Sequence, residues 1–170
     1  MSKFLKIVLI ALLIVFCMPQ VAQSRTKKRT TASPRPIVYD GVVNEITPSE
    51  FAQLVANWRS TPNKFRGNRP AVVDIYAPWC GPCKRLSPIL DKLARRYCGI
   101  VDFYRINGDE YKQFAKKYYI RAFPTVMIWT PGFSGTYDWS EGLYELDYYV
   151  RNIDAAISIY KQTPSYKKSS

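Results

Sequence analysis

The sequence predicts an α/β fold, a central mixed β-sheet flanked by helices on both faces. Three observations lead there. Helical and strand patterns alternate between residues 47 and 129. Ala71–Tyr76 is a short, nearly continuous apolar run, which suits a strand covered on both faces. The order after Thr125 is strand, glycine-marked turn, short strand and long helix, which closes an alternating sheet with an antiparallel pair.

Each element has its own signal. Thr47-Pro48-Ser49-Glu50 reads as a helix start, with Thr47 as cap, Pro48 at the first helical position and Glu50 completing a capping box. Phe51, Leu54, Val55 and Trp58 then share one face. Residues 60–70 hold Pro62, Gly67, Pro70 and several charges, and read as a loop. Leu86, Ile89, Leu90, Leu93 and Tyr97 mark a second helix, with Pro88 inside it as a kink. Val101 to Ile106 reads as a strand, Tyr111 to Tyr118 as a short helix and Thr125 to Trp129 as a third strand. A last strand is expected at 136–140. Leu143, Leu146, Val150, Ile153, Ile157 and Tyr160 define the final helix.

Charge and cysteine usage narrow the function. The 170 residues carry a net charge of +12 and no histidine. Residues 36–160 hold 15 of the 25 basic residues against all 13 acids, a net of only +2. The excess sits at the two ends, which argues against a nucleic-acid surface on the fold. Lys3 and Lys6, the apolar run Ile7–Met18, Pro19 and the small residues Ala22 and Ser24 have the layout of a secretory signal peptide over 1–24. The run is too short to span a bilayer, which takes about 20 residues. Bulky Phe16 before Cys17 does not suit lipidation. Residues 25–36 read as a basic disordered linker, 37–160 as one domain and 161–170 as a basic flexible tail. Signal removal leaves Cys80, Cys83 and Cys98. Three cysteines and no histidine fit neither a disulfide framework nor a closed zinc site, so no metal is expected.

Cys80-Gly81-Pro82-Cys83 lies where the Ala71–Tyr76 strand hands over to a helix. A helix N-terminus presents unpaired N–H groups and partial positive charge, which favours a thiolate at Cys80. The thiolate is the nucleophile of disulfide exchange, and Cys83, one turn on, can resolve the mixed disulfide. Gly81 permits a tight turn and Pro82 presets φ. Asp74 is the anomaly of the apolar strand. Burial raises a carboxyl pKa, and Asp74 is a candidate acceptor for the Cys83 proton.

Trp79-Cys80-Gly81-Pro82-Cys83-Lys84 resembles the signature of the thioredoxin family. Asp74, Pro88, Phe123-Pro124-Thr125 and Glu141-Gly142 match the family by spacing, and the likeness covers about residues 40–160. It implies a thioredoxin fold, a cis Pro124 beside the disulfide, a Phe123 backbone that pairs with extended substrate, Trp79 shielding the sulfurs and Gly142 near the site. It also implies protein substrates, with the Cys80–Cys83 dithiol as the redox agent and no separate cofactor. Arg105 departs from the family, which has Lys there. An arginine stays protonated, so Asp74 is expected to be held more firmly ionised.

The expected activity is that of an exported thiol–disulfide oxidoreductase, placed in a bacterial periplasm and fed by a membrane-linked electron donor. The membrane matters only during export. An oxidant or isomerase role, a redox-inactive chaperone module and a copper(I) carrier are the alternatives. Cys98 is read as a spare thiol at a helix end.

Overall fold

The computed structural model describes residues 41–164 and Tyr166. The expected signal peptide and linker fall outside the described residues. The chain forms β1 (Asn44–Glu45), α1 (Pro48–Leu54), β2 (Ala71–Tyr76), α2 (Gly81–Arg96), β3 (Asp102–Asn107), α3 (Lys112–Lys117), β4 (Thr125–Trp129), β5 (Asp138–Glu141) and α4 (Leu146–Lys161). The five strands make one sheet in the order β1-β3-β2-β4-β5. β3 pairs in parallel with β1 and β2, and β4 pairs antiparallel with β2 and β5. The mixed sheet expected from the sequence is therefore present. β1 was not foreseen, because two residues cannot show an alternating pattern.

Strand alternation divides the core into two. Val73 and Ile75 of β2 and Met127 and Trp129 of β4 pack with Phe51 of α1 and Phe114 of α3. Val72, Phe103, Val126 and Ile128 face the other way, against Leu86, Leu90 and Leu93 of α2 and Tyr149 and Ile153 of α4. Each helix covers the sheet with its apolar stripe. Pro88 lies inside α2, where its ring removes one backbone donor.

The 60–70 loop closes the first of these layers. Phe65 stacks on Trp129 at 6.1 Å between ring centroids, and Phe65 bridges Ala56. The Tyr118 hydroxyl donates to Pro62 O at 3.1 Å. Packing also continues past residue 160, where the domain is expected to end. Thr163 is buried, and the Tyr166 ring packs edge-on to Tyr160.

Candidate active site

β2 delivers the chain to the N-terminus of α2. Cys80 is the N-cap residue of that helix, in extended backbone, and Gly81 and Pro82 open the first turn. A Cβ at position 81 would meet nothing, so Gly81 serves the backbone and not a close contact. Cys80 and Cys83 are joined in a disulfide. The Cys83 N–H donates to Cys80 Sγ at 3.1 Å. That donor, at the positive end of a 16-residue helix, lowers the energy of a thiolate on Cys80 when the disulfide opens. Both sulfur residues are only 3% exposed and pack with Ala77, Tyr76 and Phe123.

The other residues singled out from the sequence gather around this turn. The Phe123–Pro124 peptide is cis, and Phe123 is one wall of the cysteine cluster. Gly142, with φ +94°, donates its N–H to Pro124 O at 2.7 Å. It thereby joins the end of β5 to the cis-proline loop in a conformation that glycine adopts without strain. Trp79 is 68% exposed. Its ring lies edge-on to Phe123 at 5.9 Å, and its indole N–H donates to Asp109 Oδ2 at 3.1 Å. Asp109 was missed from sequence, because its role depends on a partner 30 residues away.

Asp74 is fully buried in β2, on the same side of the strand as Val72, the side that α2 and α4 cover. Its register partner on β3 is Arg105, and Arg105 Nη2 lies 3.0 Å from Asp74 Oδ2. Asp74 Oδ1 and Arg105 Nε are buried without a hydrogen-bond partner. The Arg105 guanidinium also sits over the Tyr76 ring at 4.5 Å, and the Tyr76 hydroxyl donates to Glu45 Oε1 at 2.7 Å. Burial pushes the Asp74 carboxyl up to about 6, against the opposing charge and hydrogen bond of Arg105. Arg105 pulls the carboxyl toward ionisation, as expected of an arginine at 105, but burial is the larger effect and the net shift is upward. A carboxylate of that strength can take a thiol proton and release it again near physiological pH. The expected spare thiol, Cys98, is exposed after α2 and outside this cluster.

The arrangement is a reversible dithiol at a helix N-terminus, with a cis-proline loop beside it and a buried titratable carboxylate on the strand that feeds it. Comparison with known proteins agrees. The thioredoxin family model matches residues 42–154. A thioredoxin of Borreliella burgdorferi is 37% identical over 84 residues, covering 49% of this chain and 72% of that protein. Thioredoxin 1 of a Nostoc species is 38% identical over 88 residues, covering 52% and 74%. The chloroplastic M-type thioredoxin of Spinacia oleracea is 37% identical over 106 residues, covering 61% and 58%. The chain belongs to the thioredoxin family, and it is a thiol–disulfide oxidoreductase.

Proposed function

We propose that this protein reduces disulfides of protein substrates outside the cytoplasm. The observation that carries the reading is the Cys80–Cys83 disulfide at the start of α2, walled by the Phe123 of a cis-proline loop. In the reduced protein, the Cys80 thiolate attacks a substrate disulfide. One substrate thiolate leaves, and a mixed disulfide forms. Asp74 accepts the Cys83 proton, and the Cys83 thiolate attacks Cys80 Sγ. The Cys80–Cys83 bond closes, the second substrate thiolate leaves, and two electrons have passed to the substrate. Phe123 and Pro124 offer backbone to an extended substrate segment, with Trp79 and Gly142 at its borders. The dithiol is the redox agent, so no separate cofactor enters the cycle.

Export is supported by the Lys3/Lys6 start, the Ile7–Met18 apolar run and the small residues Ala22 and Ser24. A bacterial periplasm suits this reading. Re-reduction there calls for a membrane-linked thiol donor, because cytosolic reductants are out of reach. The Gly81-Pro82 pair, shared with reducing relatives, supports the direction.

The test is the reduction potential of the Cys80–Cys83 couple in the mature protein. A value near about −270 mV fits a reductant, and a value near about −120 mV would make the protein an oxidant of folding substrates. Full biological activity in a Cys80→Ser variant would instead make it a binding module.

A further inference from the structure

A furrow of about 460 Å³ runs along the segment that joins β3 to β4. Its walls include Asp109, Lys112, Lys116, Tyr119, Arg121 and Phe123. Phe123 belongs to two places at once. It packs against Cys80 and Cys83, and it also lines the furrow. Gly108 allows this position, since a Cβ there would stand 2.7 Å from the Phe123 ring. Trp79 extends the aromatic wall, edge-on to Phe123 and bonded to Asp109. The furrow is thus continuous with the surroundings of the disulfide.

Its charge is lopsided. Against one acid in its wall, Asp109, which accepts a hydrogen bond from the Trp79 indole N–H, stand the three cations Lys112, Lys116 and Arg121. Lys112 and Lys116 are exposed, stand one turn apart on α3, and make no ion pair among the described residues. The Arg121 side chain is 81% exposed and only grazes Glu141, at 3.4 Å. Glu110, also exposed, is the other acid of the segment. Among these cations Tyr119 is 83% exposed, and at φ 53° it is the one non-glycine residue with positive φ among the described residues. A strained backbone holds an amphipathic ring out in solvent, which is how recognition surfaces present aromatic anchors.

We propose that this furrow docks the stretch of substrate polypeptide next to the target cysteine and selects stretches that carry carboxylates. The proposal rests on the oxidoreductase reading and adds a substrate class to it. The spacing is specific. Lys112 and Lys116 are about 6 Å apart along the helix axis. Carboxylates at alternate positions of an extended chain are about 6.6 Å apart. An i, i+2 pair of acidic residues therefore matches the spacing of the two lysines along the helix.

The experiment compares two peptides, each with one cysteine capped as its 2-mercaptoethanol disulfide. One continues Glu-Gly-Glu and the other Lys-Gly-Lys. Wild-type protein is expected to reduce the acidic peptide with a kcat/KM roughly tenfold higher, mainly through KM, and the gap is expected to shrink at about 1 M salt. The double reversal Lys112→Glu with Lys116→Glu is expected to invert the preference. A reversal elsewhere, Lys92→Glu with Lys161→Glu, is expected to keep the wild-type ratio. If both reversals lower the ratio equally, overall charge decides and the proposal is overturned. Equal turnover of the two peptides by wild type also overturns it, and inhibition by inorganic polyphosphate would then assign the cations to a different anion. Turnover of neither peptide overturns the oxidoreductase reading, and this proposal with it.

Discussion

The two faces of the sheet are built for different ends. The face under α1 and α3 is an aromatic interior: Phe51 meets Phe114, Tyr118 and Trp129 edge to face at 5.0, 5.7 and 6.2 Å. The face under α2 and α4 mixes leucines, valines and isoleucines with Tyr97, Phe103 and Tyr149, and Asp74, paired with Arg105, lies on the same side of the sheet. Both are screened from water, but only the second has a charge that costs free energy to bury. The first face is mainly a packing face, and Phe123, packed at its edge, also reaches the cysteine cluster. The other gives up part of its stability to keep a titratable carboxylate on the side of the helix that bears the disulfide. The 60–70 loop adds Phe65 to the aromatic face.

The strongest way to break this comparison is to empty the aromatic face. Phe51→Ala removes a fully buried ring and is expected to cost about 3–5 kcal/mol in denaturant unfolding. The kcat/KM of the folded fraction for disulfide reduction should not change. A parallel loss of activity would show that the two faces are not independent.

Asp74→Asn tests the other face, with opposite signs for stability and activity. The folded protein binds the Asp74 proton more tightly than the unfolded chain does, since its pKa is raised from 3.8 to about 6. Its contribution to stability is complete below about pH 4 and is lost as pH rises through about 6. The loss amounts to on the order of 3 kcal/mol. The asparagine variant is expected to lack this decline, and so to be more stable than wild type at pH 7 in urea titrations. Its turnover should fall on the order of 10²-fold, because Cys83 loses its proton acceptor. Asn at 74 with full turnover would remove Asp74 from the chemistry.

Arg105→Met is a subtler probe. Arg105 is the group that lowers the Asp74 pKa against burial. Its removal is expected to move the Asp74 titration, and the acid limb of the rate profile, to higher pH. An unchanged profile would mean that the ion pair has no influence on the proton step. The smallest effect belongs to Thr47→Ala, which breaks the capping box that Thr47 and Glu50 form at 2.7 and 3.3 Å. It is expected to cost about 1 kcal/mol of stability and no activity.

What could be read from the chain alone follows a physical line. Local patterns were legible: the capping box at Thr47, the apolar run Ala71–Tyr76, the strand Thr125–Trp129 and the leucine stripe of α2 all appear in the structure as the sequence predicts. These signals lie within one element, and the element's own periodicity or cap chemistry reports them. The same holds for Cys80 and Cys83, which share one helical turn, and for Asp74, conspicuous as a carboxylate among valines and isoleucine. The last strand was placed at 136–140 and lies at Asp138–Glu141, because glycine-marked turns leave their ends open.

The tertiary structure alone decided the rest. It paired Asp74 with Arg105 across the β2–β3 register, leaving one carboxylate oxygen and one guanidinium nitrogen unpartnered. It tied Trp79 to Asp109 and Gly142 to Pro124 O. It folded the 60–70 loop onto Trp129. It set the basic residues of α3 beside the ring that walls the disulfide. Each of these depends on groups brought together by strand order and helix docking. The distances between such groups are fixed by packing and register, and no local pattern of residues carries that information.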